Sequence, residues 1–448
     1  MQELLVDAAQ RAIRYLEGLD DRGIAPPPAA LSALAELDGP LPQVACAPAQ
    51  TLRLLDEIAS PATMASAGGR FFGFVIGGAL PVALASNWLA TAWDQNAALH
   101  EPARAVSALE ATALRWMLDL LGLPPHCAGA FVTGATMANF SALAAARHAV
   151  LARAGWSVES DGLFGAPPVT VVIGDEAHPT LVKSLGLLGL GRNRVLRVPV
   201  DAQGRMRADR LPALQAPAIV CLQAGNVNTG ASDPFEPLVA QAHDAGAWVH
   251  VDGAFGLWAA ASRALAGNVA GMAQADSWAT DAHKWLNVPY DSGLAFVRDA
   301  GALRAAMAIS ADYLPVGDAR NPSDFTPELS RRARGVDVWA ALRTLGRDGV
   351  AEMVERCCAH ARRFARELAA SGFEILNDVV LNQVLVRHGD DLATRRLIAA
   401  LQADGTCWCG ATTWQGRAAM RISVCSWATT DDDVTRSLDA LRRVARTS

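Results

Sequence analysis

A lysine, Lys284, lies in the otherwise apolar segment SWATDAHKWLNVPYDSG (277–293). Burying an unpaired ammonium group is costly. Such a lysine is therefore either a surface residue between two strands or a residue with a chemical role. A lysine that forms a Schiff base with an aldehyde cofactor avoids the cost, because its amine becomes an imine. For Lys284 taken alone, both interpretations stay open.

Asp252 ends an apolar run in the segment HVDGAFG (250–256). A buried carboxylate needs a cationic partner, and a protonated pyridine nitrogen would be one. The alternative is that Asp252 caps the helix that follows. Asp252 and Lys284 are 32 residues apart, which is about one further helix and strand of the same sheet. With this spacing, the ends of two strands could contact opposite sides of one pyridine ring.

Three further segments place small or polar residues directly after apolar runs. In FVTGATMANF (131–140), Ala135 and Thr136 are small enough for backbone amides to approach a phosphate at a helix N-terminus, although small residues also suit an ordinary turn. In GDEAHPT (174–180), His178 is either a structural histidine or a side chain that stacks on a planar cofactor. In QAGNVNTG (223–230), Asn226 leads the polar group that ends another run.

Four runs rich in Val, Ile and Ala predict the strands that would position these residues, at 168–178, 216–225, 247–256 and 292–299. Near-continuous apolar strands that alternate with helices indicate a mostly parallel sheet covered on both faces. Ligands bind at the C-terminal ends of the strands in such sheets. The candidate residues follow these runs, so we expect them to meet at one edge of the sheet.

The chain has 448 residues, and single cores stop growing at about 250–300 residues, so at least two packed domains are expected. We predict a helical arm over residues 1–80, a large α/β domain over 81–335, and a long linking helix with a small α+β domain over 336–448. The linking helix is predicted as one helix from Gly335 to about Ser371. The last helix follows Thr430 and should bury Val434, Leu438 and Leu441.

Composition narrows the function classes. The net charge is -6 without a basic stripe, so we expect neither a nucleic-acid nor a membrane partner. We find no signal peptide and no membrane-length apolar run, and eight scattered cysteines suit reduced thiols in a cytoplasmic protein. The pair Cys407 and Cys409 has no second cluster to complete a metal site, so no metal is expected.

In order and spacing, these motifs resemble those of the group II pyridoxal-phosphate amino-acid decarboxylases, which include the aromatic amino-acid, histidine and glutamate decarboxylases. DAHKWLNVPYDSG resembles the lysine motif, HVDGAFG the Asp-x-Ala motif, DEAHPT the ring-stacking histidine motif and TGATMANF the phosphate turn. FFGFVIGG (71–78) resembles the substrate-access segment, and SRRARGVDVWAALRTLG (330–346) the approach to the small domain. The resemblance covers residues 65 to 430.

The resemblance implies an aspartate-aminotransferase-like fold of type I and a homodimer with active sites at its interface. Lys284 would carry pyridoxal 5'-phosphate, Asp252 would pair with its ring nitrogen, and Ala254 would pack on the ring face opposite His178. Further positions match cofactor contacts of the family: Ala135, Thr136, Asn226 and Asp281. Asp281 stands where many members have Asn, and Asn226 stands where some have Thr.

The implied reaction is decarboxylation of an L-amino acid to an amine and carbon dioxide. Phe71, Phe72 and Phe74 favour an aromatic or apolar substrate side chain, although they could equally be core residues. Arg421 matches an arginine that meets a substrate carboxylate, although it could be an exposed strand arginine. Tyr313 and His178 are candidates for the acid that protonates Cα. Tyr313 lies earlier in its loop (309–332) than the family's catalytic tyrosine.

The displaced tyrosine keeps other reactions open. Oxidative deamination to an aldehyde and transamination are alternatives within pyridoxal-phosphate chemistry. A non-catalytic binding protein that has kept the fold is a further alternative, but the retained Lys284, Asp252 and His178 argue against it.

Overall fold

A computed structural model describes residues 1–309 and 319–446. The chain forms two compact units. The larger comprises Ala79–Ala359 and Asn377–Gln383, and the smaller comprises Met1–Gly78, His360–Leu376 and the chain from Val384 onward. Throughout the described ranges, no helix combines the length and apolar character that crossing a membrane would need.

The described residues contain fourteen α-helices, which are α1 (Gln2–Glu17), α2 (Pro28–Ala33), α3 (Pro48–Leu54), α4 (Pro81–Trp93), α5 (Arg104–Leu120), α6 (Ala135–Arg153), α7 (Val158–Asp161), α8 (Pro179–Leu187), α9 (Phe235–Asp244), α10 (Ala282–Trp285), α11 (Ala300–Met307), α12 (Gly335–Ala370), α13 (Asp391–Asp404) and α14 (Asp431–Ala445).

The larger unit is built on a seven-stranded sheet. Its strands are β1 (Ala128–Val132), β2 (Thr170–Gly174), β3 (Leu196–Val198), β4 (Ala218–Gln223), β5 (Trp248–Asp252), β6 (Ser277–Asp281) and β7 (Gly293–Val297). Their order is β1-β7-β6-β5-β4-β2-β3. The pairs from β3 to β6 are parallel, while β7 runs antiparallel to both β1 and β6. The sheet is therefore mostly parallel, as the apolar runs predict.

The antiparallel direction of β7 determines which strand ends lie at the same edge of the sheet. Gly293, the first residue of β7, pairs with Asp281 at the end of β6 and with Val132 at the end of β1. The ends of β1, β4, β5 and β6 and the start of β7 thus share one edge of the sheet. The alanine-rich helix α6 covers one face and buries Ala138, Ala142 and Ala145 against the strands. Small side chains allow this close approach of helix and sheet.

The smaller unit contains a four-stranded sheet. Its strands are β8 (Glu374–Ile375), β9 (Gln383–Arg387), β10 (Gly410–Trp414) and β11 (Arg417–Ser423), in the order β10-β11-β9-β8. Helix α14 begins with a capping box between Thr430 and Asp433. Val434, Leu438 and Leu441 are buried, so the predicted stripe of the last helix is confirmed.

The prediction of one uninterrupted helix from Gly335 is wrong in one respect. Within α12, Gly346 has φ 61° and ψ -175°, which lies outside the helical region. Glycine adopts positive φ at little steric cost, so two helical stretches meet at this residue. The periodic apolar pattern continues across the interruption, which is why the pattern alone predicted a single helix.

Candidate active site

The lysine segment is held against the turn that begins α6. A Cβ atom added to Gly293 would lie 2.4 Å from the Cα atom of Gly134, which is far inside contact distance. Only glycine allows this approach at position 293. The start of β7 therefore packs directly on the backbone of the turn that the sequence predicts for a phosphate.

Asp281 contacts two other predicted site residues. Its Oδ1 accepts a hydrogen bond from the Ala135 backbone amide at 2.6 Å, and its Oδ2 lies 3.1 Å from Lys284 Nζ. His283 Nε2 lies 3.6 Å from Oδ1. Burial lowers the pKa of His283, although the charge of Asp281 opposes this shift. The carboxylate thus links the phosphate turn to the lysine that could hold an aldehyde.

The first turn of α6 suits an anion. The helix extends from Ala135 to Arg153 and begins after Gly134, which has no side chain to cap it. Its first amide donates to a carboxylate, and the N-terminal end of a helix dipole stabilises negative charge. Thr136, the second residue of the helix, accepts a hydrogen bond from Ser184 Oγ at its backbone oxygen (2.9 Å). This turn fits the phosphate group of the cofactor implied by the sequence.

Asp252 ends β5 and is 4% exposed. Its oxygens accept hydrogen bonds from the Ala254 amide (3.3 Å) and from Asn139 Nδ2 (3.2 Å). Across the described part of the chain, no lysine, arginine or histidine nitrogen lies within 4.0 Å of this carboxylate. Burial raises the pKa of Asp252, while the charges of His178 and Lys284 oppose that shift. A buried carboxylate in such surroundings fits a cationic ring nitrogen.

His178 and Asn226 both have local partners. His178 caps α8, and its Nδ1 lies 2.7 Å from Thr180 Oγ1. Asn226 Oδ1 accepts from the amides of Asn228 (2.9 Å) and Thr229 (3.2 Å) and so builds its own turn. The structure thus gives Asn226 a local role in shaping the segment after β4.

The remaining predicted residues belong to the other unit or fall outside the described residues. Phe74 and Arg421 belong to the smaller unit. Phe74 is 60% exposed and packs on Trp408 with ring centroids 5.4 Å apart. Arg421 lies on β11, where burial lowers its pKa. Tyr313 lies outside the described residues.

Sequence reasoning missed several residues around these groups. Tyr290 packs on His283 with ring centroids 4.2 Å apart. Asn139 contacts Asp252, and His250 contacts Asn139 in turn. His250 and Asn139 are 111 residues apart in the chain, so no local spacing signals their contact. A polar side chain inside the otherwise apolar strand pattern WVHVD was the one available sign.

Comparison with known proteins places these features in a family. The family profile described as "Pyridoxal-dependent decarboxylase conserved domain" matches residues 55–388. An aromatic-L-amino-acid decarboxylase of Bacillus atrophaeus is 27% identical over 316 residues, which are 67% of this chain and 62% of that protein. An L-2,4-diaminobutyrate decarboxylase of Rhizobium meliloti is 28% identical over 388 residues, covering 81% of this chain and 75% of that protein.

Solved structures share the fold. The crystal structure of Oryza sativa TDC with PLP and tryptamine superposes with a TM-score of 0.93 at 23% identity, covering 100% of this chain and 97% of the other. Rhodiola rosea 4-hydroxyphenylacetaldehyde synthase superposes with a TM-score of 0.86 at 21% identity, with the same coverage of both chains. The predicted family, α/β fold class, pyridoxal-phosphate cofactor and carboxy-lyase class are confirmed.

Proposed function

Because this chain belongs to the pyridoxal-dependent decarboxylase family, we propose that it converts an L-amino acid to its amine and carbon dioxide. One observation carries this proposal. Lys284, Asp281 and the first amide of α6 lie in direct contact, and Asp252 ends the neighbouring strand as a buried carboxylate. This is the set of groups that holding a phosphorylated pyridine aldehyde requires.

We assign the following roles to the chain's own residues. Lys284 Nζ would hold the cofactor covalently, with loss of water from the amine and the aldehyde, and the first turn of α6 with Ala135 and Thr136 would hold its phosphate. Asp252 would keep a proton on the ring nitrogen, and the bound cofactor would supply an electron sink for the reaction. Ala254 and His178 cover the two ring faces. Asp281 positions Lys284, and Asn226 shapes the turn beside them.

The substrate is proposed to be an amino acid with an aromatic or apolar side chain. Phe74 supports this, because its ring is largely exposed and is backed by Trp408. Arg421 is proposed to bind the substrate carboxylate. Relatives act on substrates as different as aromatic amino acids and L-2,4-diaminobutyrate, so the side-chain class rests on these residues of the chain.

Oxidative decarboxylation to an aldehyde is the second candidate reaction. It is favoured by the early position of Tyr313, which leaves the usual place of the proton donor without a tyrosine. In that reaction the amino acid, oxygen and water give aldehyde, carbon dioxide, ammonia and hydrogen peroxide. Amine release needs instead an acid that protonates Cα, and we assign this role to Tyr313 or His178.

The test is to incubate the purified protein with each amino acid under air and quantify all products by mass spectrometry. An amine formed in equal amount with carbon dioxide supports decarboxylation, and aldehyde with peroxide supports the second candidate. Tyr313→Phe and His178→Asn should lower the amine-to-aldehyde ratio if either residue is the acid. Tyr15→Phe, whose hydroxyl contacts Thr63, is the matched control. Absence of carbon dioxide with every amino acid would refute both reactions.

We further propose that the protein is a cytoplasmic homodimer. Helix α1 has no buried residue, yet it presents Leu5, Val6 and Ile13 on its surface. An exposed apolar face of this kind suits burial against a second copy. Sedimentation equilibrium should give twice the chain mass of 47.1 kDa, and a mass of one chain would refute the dimer.

A further inference from the structure

A line of buried polar side chains on α6, β5 and β6 is connected to Asp252. It consists of Asn139 on α6, His250 and Trp248 on β5, and Ser277 on β6. All four residues are buried, with an exposed fraction of 2% or less. Four contacts connect them to Asp252, with lengths between 2.8 and 3.2 Å.

The chemistry of the two ends gives each hydrogen bond a direction. The indole Nε1–H of Trp248 can only donate, and it donates to Ser277 Oγ at 2.9 Å. At the other end, Asn139 directs its amide nitrogen to Asp252 and therefore its oxygen to His250 Nε2, so the proton of the neutral imidazole is on Nε2. His250 Nδ1 is then the acceptor, and the Ser277 hydroxyl donates to it at 2.9 Å. His250 Nε2–H donates to Asn139 Oδ1 at 2.8 Å, and Asn139 Nδ2–H donates to Asp252 at 3.2 Å.

His250 remains neutral within this line. It is fully buried, and burial lowers the pKa of its imidazole to about 3. A neutral imidazole has one donor and one acceptor, which is what its position between Ser277 and Asn139 needs. An imidazolium ion would have two donors and would lose its bond from the serine hydroxyl.

We propose that Ser277, His250 and Asn139 form a one-way hydrogen-bond relay that keeps the Asp252 carboxylate ionised and oriented toward the ring nitrogen of the cofactor. Successive hydrogen bonds with the same direction polarise one another, and donation to a carboxylate stabilises its charged form. The relay thereby counteracts the effect of burial on Asp252. Its members are positioning residues, because they act through Asp252.

This inference rests on the proposed role of Asp252. A purely structural role for the same side chains would contribute to stability without altering the ionisation of the carboxylate. The pH dependence of cofactor binding separates the two. Other titratable groups around Asp252 contribute to that dependence equally in every variant, namely His178, Lys284, Cys221, Glu176 and Asp233.

The test measures the dissociation constant of pyridoxal 5'-phosphate as a function of pH for wild type and Ser277→Ala. Loss of the serine hydroxyl removes the donor to Nδ1 that favours the Nε2–H form of His250. We expect binding to weaken about threefold to tenfold, the range of one hydrogen bond. The pKa of Asp252 should rise, so the loss of binding on acidification should begin at higher pH than in wild type.

Two variants control this measurement. Ser277→Thr keeps a hydroxyl and should restore the wild-type profile. Ser141→Ala removes a buried hydroxyl of α6 that donates to Met137 O, and its profile should match wild type. A Ser277→Ala profile that superimposes on wild type would overturn the relay. A shift of equal size in Ser141→Ala would overturn it as well, because the effect would then be general loosening.

Two further measurements keep the inference testable if Ser277→Ala does not fold. Nitrogen-15 NMR of histidine-labelled wild type should show His250 as the neutral Nε2–H form down to pH 5, and the Nδ1–H form would contradict the relay. Asp252→Asn tests the underlying role. If it leaves cofactor binding unchanged at every pH, the role of Asp252 fails. If it changes binding while Ser277→Ala does not, only the relay fails.

Discussion

Two aspartates end neighbouring strands of the same sheet and are buried to the same degree, yet their surroundings differ. Asp281 on β6 is 2% exposed and lies 3.1 Å from the ammonium group of Lys284. Asp252 on β5 is 4% exposed and accepts hydrogen bonds only from neutral groups, Ala254 N–H and Asn139 Nδ2, among the contacts described. Equal burial therefore does not imply equal electrostatics.

The comparison separates two uses of a buried carboxylate. Asp281 has its charge compensated by the chain itself, so it can fix the position of Lys284. Asp252 accepts its described hydrogen bonds from neutral groups, and burial raises its pKa although the charges of His178 and Lys284 oppose that shift. A carboxylate of the second kind is suited to receive a cation from a ligand.

The largest effect is expected for Lys284→Ala. The chain contains two lysines, Lys183 and Lys284, which makes covalent labelling unusually clean. After borohydride reduction in the presence of pyridoxal 5'-phosphate, peptide mass spectrometry should find the label on Lys284 in wild type and in Lys183→Arg. Lys284→Ala should carry no label and should lose turnover by about a thousandfold or more, the scale of nucleophilic and acid–base catalysis combined. A label on Lys183 would remove Lys284 from its role.

Next in size is the contrast between Asp281→Asn and Asp252→Asn in the cofactor-free protein. Asp281→Asn leaves the ammonium group of Lys284 without its carboxylate partner. The free energy of unfolding should fall by about 2 kcal/mol, which is less than the loss for a fully buried ion pair because Lys284 is only partly buried. Asp252→Asn removes a charge without a cationic partner and should change stability by less than about 1 kcal/mol. Urea unfolding of both variants measures the difference. Equal destabilisation by the two substitutions would contradict the proposed difference between the surroundings of Asp281 and Asp252.

A smaller effect concerns the pH dependence of cofactor-free stability. Burial raises the pKa of folded Asp252 above 3.8, so the folded state binds its proton more tightly than the unfolded state does. Stability from this group is present at low pH and declines as the pH rises from about 3.8 through the folded pKa. Asp252→Asn should remove that decline. Thermal unfolding of wild type and variant across this range should give curves that converge at acidic pH, and parallel curves would contradict the shift.

The smallest effect is expected for His283→Gln. The imidazole lies 3.6 Å from Asp281, longer than a hydrogen bond, and burial lowers its pKa, so it is neutral near pH 7. We expect less than a threefold change in the affinity for pyridoxal 5'-phosphate at pH 7.5. A tenfold loss would contradict this expectation and show that His283 contributes to cofactor binding beside Asp281.

The apolar patterns predicted much of the large unit correctly. All four predicted strand runs contain strands, namely β2, β4, β5 and β7. Local residue patterns suffice here because buried strands are short, apolar and rich in β-branched residues. The pattern did not reveal that β7 runs antiparallel, since strand direction depends on the connection and not on composition.

The candidate site was predictable where chemistry makes a residue conspicuous within its own segment. Lys284 and Asp252 are charged residues in apolar runs, and the structure buries Asp252 and most of Lys284 as that pattern implies. Asn139 and Ser277 were not predictable, because neither stands out by type within its own segment. Each is linked to the site only by a hydrogen bond to a residue on another helix or strand. Asp281 was found, but its contact with the Ala135 amide, 146 residues away, required the fold.

The antiparallel pairing of β6 and β7 has a consequence for how the cofactor is loaded. Asp281 and Gly293 are partners in the sheet, so residues 282–292 form a closed loop whose two ends are fixed by the ladder. Lys284 stands on a helical turn at the start of this loop. A residue anchored in this way has given up most of its conformational freedom when the chain folds. In the role that we propose for Lys284, the aldehyde would meet a lysine whose backbone is already in place, and little backbone ordering entropy would remain to oppose the covalent bond.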